Sequence, residues 1–261
     1  MTTTVTGIGP LLREWREARR LSQLALSSAA GVSTRHLSCV ETGRSRPSPE
    51  LVLHLAEHLE VPLRARNQML LAAGYAPVFR ERPLDDPEMA PVALVLDSVL
   101  ERSEPNPTVI VDRGWNLLRA NAPALWLCTG VDPMLLEPPA NVARLSVDDA
   151  GLRPRIANFD EYAGHLAGRV RSAAVASRDP ELVALADDLD QVSGGVPGAA
   201  GTVPAFAIPM CIEVDGRALA LFSTIATFGT AVDVGLSELS IETFYPADDA
   251  TAELLSSHPW R

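Results

Sequence analysis

The sequence predicts a mainly α amino-terminal domain of five short helices, followed by an α+β domain on a five-stranded, mainly antiparallel sheet. Three observations lead there. Apolar residues recur at helical spacing through the first seventy-odd positions, with capping serines, Gly and Pro at the ends of the runs. Five strand-like runs follow, two before and three after a long helical stretch. Charge divides the chain at the same place: residues 1–80 hold ten arginines against six acids, +4, and residues 81–261 hold twelve against twenty-seven, −15.

The chain of 261 residues is long enough for two domains, and an apolar fraction of 47% suffices for packed cores. Apolar stretches are broken by Arg, Asp, Gly or Pro before membrane-spanning length, and none follows a basic start, so neither membrane association nor secretion is expected. Cys39, Cys128 and Cys211 are odd in number and lack metal-ligand spacing, which fits reduced thiols in a cytoplasmic protein. Every basic residue is arginine, a sign of GC-rich coding more than of one chemistry. The net charge of −11 alone speaks against nucleic acid, whose binding rests on phosphate neutralisation. The basic first part reverses that reading.

Leu11, Leu12, Trp15, Ala18 and Leu21 form one apolar stripe, predicting a first helix from Pro10 to Leu21. Ser22 caps a second, which ends at Gly31, and Ser33 caps a third, with Leu37 and Val40 inward and Thr34, Arg35, Ser38 and Cys39 outward. After Pro47, Ser48 caps a fourth helix through Leu59, and Val61-Pro62 starts a fifth that reaches Ala73. The first domain spans 1–76 and a Pro- and charge-rich linker 77–90, with the second domain over 91–258.

The second domain opens with a helix from about Glu88 to Ser103, read as an interdomain spacer. "PTVIVDRGWNLLRAN" reads as strand, tight turn at Asp112 to Gly114, and strand. Helices follow, including one with Phe159, Tyr162, Leu166 and Val170 on one stripe and one capped by Asp179 ahead of Pro180. A Gly- and Ala-rich loop, Ser193 to Pro204, precedes "AFAIPMCIEV", "RALALFSTIATFG" and "SELSIETFYP", the first two joined by the hairpin signal Asp215-Gly216. Helices inserted between strands two and three of such a sheet suit a PAS-like sensor layout.

"LSQ" at Leu21–Gln23, "AAGVS" at Ala29–Ser33, "LSCVETGRSRPS" at Leu37–Ser48 and "LVLHLAEHLEVP" occur in order, and together resemble the Cro-type helix-turn-helix modules of the xenobiotic-response-element family. The resemblance implies operator DNA as partner. A recognition helix presents its first turns to base edges, so Thr34, Arg35 and Cys39 are the expected base contacts, with His36 and Ser38 flanking. Gln23, Arg44 and Arg46 are expected on phosphates, fixing register and not sequence. The family's pairing of a first-helix Arg with the Glu ending the recognition helix falls here on Arg16 and Glu41, read as structural.

"HLAEH", His54 to His58, matches the letters of an inverted zinc-protease helix, but no third ligand accompanies it and a solvated face explains it better. The chain has no P-loop ending, no G-x-S-x-G elbow and no triad pattern around His165 or His258, so no enzyme, metal or cofactor is expected. Asp187, Asp188 and Asp190 read as a solvated helix face.

"PTVIVDRGWNLLRANAPALWL", "NVARLSVDDAGLRPRIANFDEYAGHLAGRV", "DPELVALADDL", "FSTIATFGTAVDV" and "LSELSIETFYPADDATAELL" look like the PAS-like ligand-binding domain of MmyB-like transcription regulators. That resemblance implies a regulator responding to an apolar small molecule, with a fatty acid as the ligand class. A site between one sheet face and its covering helices would be apolar with few polar groups. Trp115, Leu117, Trp126, Tyr162, Leu166 and Phe206 are candidates for its lining. Ile208, Met210, Leu221 and Phe222 join them, with Arg155 or Arg169 to pair a carboxylate.

The sequence thus reads as a cytoplasmic bacterial regulator, a homodimer that binds operator DNA through its first domain and senses an apolar metabolite through its second. The alternative is an adaptor whose PAS-like domain binds a protein partner and no small molecule. A cavity empty of side chains separates the two.

Overall fold

The computed structural model describes residues 7–194 and 208–260. They fall into two compact units, one ending at Arg82 and taking in Ala231–Val234, the other running from Pro83 to Thr230 and from Gly235 onward.

The first unit holds α1 (Ile8–Ala18), α2 (Gln23–Ala29), α3 (Thr34–Glu41), α4 (Pro49–His58) and α5 (Leu63–Ala72). The Oγ atoms of Ser22, Ser33 and Ser48 accept the amide N–H of Ala25, His36 and Leu51 at 3.0, 3.1 and 3.3 Å, as the capping pattern predicts. The first helix is shorter than its apolar stripe. Arg20 sits at φ 56°, which lets the N–H of Leu21 reach Arg16 O at 3.0 Å and that of Arg20 reach Glu17 O at 2.8 Å, closing the helix at Ala18. Leu12, Leu26, Leu37, Leu55, Leu59 and Leu70 are fully buried between the helices. At Gly9 the backbone of α1 meets the end of α3 so closely that a Cβ would lie 2.6 Å from Glu41 O. The segment after α5 is tied back: Asn67 Oδ1 accepts from Val78 and Phe79 N–H, and its Nδ2 donates to Phe79 O.

The second unit comprises α6 (Ala90–Ser103), β1 (Thr108–Val111), β2 (Leu117–Ala120), α7 (Ala122–Leu127), α8 (Val142–Val147), α9 (Phe159–Ser177) and α10 (Pro180–Val192), then β3 (Met210–Val214), β4 (Arg217–Thr227), α11 (Val234–Ser237), β5 (Ser240–Pro246) and α12 (Asp249–Ser257). All strand pairs are antiparallel, in the order β2-β1-β5-β4-β3. The five-stranded sheet with helices inserted after its second strand matches the expected fold class. Asp215 and Gly216 both take positive φ, 49° and 72°, the geometry of a two-residue hairpin turn between β3 and β4.

Register sorts the side chains. Val109 lies opposite Glu242, Ser223 opposite Phe244 and Met210 opposite Leu221, so these residues share one face. That face packs against α9 and its neighbours through Leu166, Val170, Met210, Ile212, Leu219 and Leu221. On the other face Leu96 and Leu100 of α6 pack with Ile110 and Leu239. The helix expected to be a spacer is therefore a layer of the second unit's core. Its end is fixed by Asn121, whose Oδ1 accepts from Thr108 and Ala124 N–H at 2.9 and 3.1 Å while Nδ2 donates to Asn106 O at 2.9 Å and Leu100 O at 3.4 Å.

Candidate functional site

In the first unit a buried carboxylate holds the exposed α3. Glu41 Oε1 accepts from Arg16 Nε at 2.7 Å; its Oε2 accepts from Arg16 Nη2 at 3.0 Å and from Gln23 Nε2 at 2.8 Å. Arg13 Nε stands 3.5 Å away. Burial alone would push the Glu41 carboxyl up, but the hydrogen bonds from Arg16 and Gln23, with the Arg16 charge and Arg13, hold it below its ordinary value. Its hydrogen bond to Glu41 also raises the guanidinium of Arg16. One residue from each of α1, α2 and α3 is thus joined, and Ser27 and Thr34 add a 2.8 Å hydroxyl pair between α2 and α3.

Leu37 and Val40 face inward, and Arg35 and His36 lie exposed on the opposite side, with Thr34, Ser38 and Cys39 half-buried. No hydrogen bond or ion pair engages the Arg35 guanidinium among the described residues. Arg44 is likewise exposed after the helix. Two of the expected phosphate contacts have partners inside the protein. Gln23 donates to Glu41, and Arg46 donates to Ala73 O and Gly74 O at 2.9 and 3.0 Å with its guanidinium 4.5 Å from the Tyr75 ring.

In the second unit the face bearing Val109, Phe244 and Met210 lines a cavity with α7, α8 and α9. The cavity has a volume of about 80 Å³ and is partly open to solvent. Its walls are almost wholly apolar, with Asn141, Ser146, Tyr162 and Glu242 as the polar side chains. Trp115 reaches it from a strained turn. Asp112 Oδ1 accepts from Gly114 and Asn116 N–H at 2.8 and 2.9 Å, and Trp115 itself, not Gly114, takes positive φ at 66°. The Arg169 guanidinium lies 5.0 Å from the Trp115 ring, and its Nη1 donates to Glu242 Oε1 at 2.8 Å.

Residues 92–257 match the family model of the MmyB-like transcription regulator ligand binding domain. The chain belongs to the MmyB-like transcription regulators. Residues 8–69 match a helix-turn-helix domain model, so a DNA-binding domain precedes the ligand-binding domain, both regulatory families. A search of curated proteins found no match.

In this MmyB-like regulator five of the expected ligand residues meet at the cavity: Trp115, Leu117, Tyr162, Leu166 and Met210. Others lie elsewhere. Trp126 donates from Nε1 to Asp215 Oδ2 at 2.8 Å and packs beside His258 and Trp260. Leu221 is packed into the core opposite Met210, Phe222 stacks on Tyr245, and Ile208 lies half-buried outside the lining. Arg155 donates to Thr129 O and Leu127 O at 2.8 and 2.9 Å, closing the end of α7. Arg169 reaches the cavity wall only through Glu242 and Trp115, and Phe206 lies outside the described residues, as does most of the Ser193–Pro204 loop.

Glu242 is the charged cavity residue that the sequence reading missed, along with the polar Asn141 and Ser146. Its one signal is an acid at every-second spacing between Ser240 and Phe244 within a strand. The histidine motif has a structural use: His54 Nε2 lies 2.7 Å from Ala30 O, joining α4 to the end of α2. Asp187 and Asp190 pair with Arg171, and Asp188 with Arg144. Among the described residues no cluster of His, Cys, Asp or Glu is placed to hold a metal, and no helix is long and apolar enough to cross a membrane.

Proposed function

We propose that the protein is a homodimeric, cytoplasmic regulator that reads operator DNA with α3 and responds to an apolar small molecule held in the cavity. The fatty acid implied by the family resemblance is one such molecule. The cavity carries this reading, because an adaptor with a filled core has no use for an almost wholly apolar-walled cavity between its sheet and helices. Two-fold pairing sets the recognition helices about 34 Å apart, one DNA turn. Arg35 takes base edges and Arg44 the backbone, with Thr34, His36, Ser38 and Cys39 along the same surface; Gln23 and Arg46 act by positioning α3 and α5. Control of DNA affinity requires that the ligand bind the DNA-competent and incompetent states unequally.

The test is a salt titration of full-length protein on the promoter beside its own gene, with Arg35→Ala alongside. The substitution is expected to weaken binding by about 1–3 kcal/mol and to relax base preference. Unchanged affinity and preference would sink the assignment of α3 as the reading helix. Mass spectrometry of solvent extracts of the purified protein tests the other half: a retained aliphatic molecule whose re-addition shifts DNA affinity is the expected result.

A further inference from the structure

Among the described residues Glu242 is the one charged side chain on the cavity lining. Its side chain is 6% exposed. Arg169 Nη1 donates to Oε1 and, at 3.3 Å, to Ser223 Oγ; among the described residues no donor reaches Oε2. Arg169 Nη2 is buried and has no hydrogen-bond partner among the described residues. The Tyr162 hydroxyl has only a long bond, 3.4 Å to Ser146 Oγ, so it too keeps a donor to offer. The polar end of an otherwise apolar cavity therefore combines a carboxylate that accepts, held from behind by Arg169, with a phenol that donates.

These groups already balance in charge. Arg169 and Glu242 cancel, Tyr162 stays a neutral phenol because burial pushes it up to about 12, and burial with the nearby Arg169 holds His165 below its ordinary value and so favours the uncharged ring. A ligand carboxylate brought here meets Glu242 with no further cation to offset it. If it displaced Glu242 from Arg169, it would strand a buried carboxylate, and a buried pair broken in that way is strongly unfavourable. A group that both donates and accepts without a formal charge satisfies Glu242 Oε2 and the Tyr162 phenol together.

We propose that the cavity selects an aliphatic molecule with an uncharged hydrogen-bonding head, an alcohol or a carboxamide, over the same chain ending in a carboxylate. This rests on the reading of the cavity as the ligand site. It assigns Glu242 as the residue that sets head-group specificity and Tyr162 as a donor to the head.

The test uses full-length, delipidated protein and four probes of one chain length: dodecane, 1-dodecanol, dodecanamide and dodecanoate, the last ionised at about pH 8. Retention is compared by native mass spectrometry. The alcohol and amide are expected to bind at least about tenfold more tightly than dodecanoate, about 1.4 kcal/mol. Glu242→Gln is expected to erase that preference, since it removes the buried anion that opposes a carboxylate and leaves the Arg169 charge uncancelled behind the wall. Equal or tighter binding of dodecanoate by the wild type, or an unchanged ratio in Glu242→Gln, overturns the proposal. If Glu242→Gln does not fold, Tyr162→Phe decides: it is expected to weaken the alcohol and amide relative to dodecane, and an unchanged ratio overturns the assignment. Binding of none of the four, dodecane included, overturns the ligand reading and this inference with it, whereas dodecane bound alongside a preferred dodecanoate overturns the inference alone.

Discussion

Replacing Glu41 by alanine removes the acceptor for three hydrogen bonds, two from Arg16 and one from Gln23. Arg16 is left with a side chain only 9% exposed, still bonded to Leu21 O at 2.7 Å and near Glu17, so its charge is stranded but not bare. That places the cost at about 3 kcal/mol, the lower end of the range for breaking a buried ion pair. Hydrogen exchange followed by mass spectrometry on the full chain reads it locally. Amides of α1 and α3 that exchange through opening of the first unit are expected to speed up about a hundredfold, at 1.4 kcal/mol per factor of ten. The paired change Arg16→Met with Glu41→Leu is expected to restore most of the protection, because two apolar groups leave nothing buried and unpaired. A rise of less than about threefold in Glu41→Ala, or a double variant as labile as the single one, refutes the reasoning. The carboxyl also makes the contribution pH-dependent. Its folded value lies below the ordinary 4.5, so the stabilisation is complete above that value and disappears as pH falls through the folded one.

Gly9→Ala puts a Cβ 2.6 Å from Glu41 O and 2.8 Å from Val40 O, both backbone atoms, so α1 must move and urea unfolding of the first unit should show a loss of about 1–3 kcal/mol. Asn121→Ala removes four hydrogen bonds at the junction of α6, β1 and α7; a destabilisation of about 2–4 kcal/mol is expected in the urea midpoint of the second unit, and less than about 1 kcal/mol contradicts the assignment. Tyr162 should resist ionisation: in an ultraviolet titration of wild type against Tyr162→Phe, the phenolate signal of this residue is expected at about pH 12 and not near 10.

Much of the architecture is legible because it rests on local chemistry. Ser22, Ser33 and Ser48 each precede an apolar stripe, and a serine there has one good use. Asp215-Gly216 announces its turn for the same reason. The site is less legible, because the same side chain serves two masters. An arginine after the recognition helix suits a phosphate or a carbonyl equally, and only the approach of Ala73 and Gly74 shows that Arg46 takes the carbonyls. Alternation along a strand likewise gives two faces without saying which one a helix covers. Register, a property of partner strands, decides the face: it puts Met210 and Leu221 together, and packing then leaves Met210 on the cavity and Leu221 in the core beside it. Glu242 was hidden for the same reason, its meaning depending on an arginine 73 positions away. The first helix ended early where Arg20 adopts a conformation usually left to glycine, which no periodicity records.

The left-handed backbone of Trp115 stores energy beside the ligand site. A bulky residue held at that φ costs about 1–3 kcal/mol, the same order as the free energy by which effectors couple distant sites. The indole that bears this tension is also a wall of the cavity, so an occupant pressing on the ring acts on a hairpin already loaded, and a modest contact there has a spring to release.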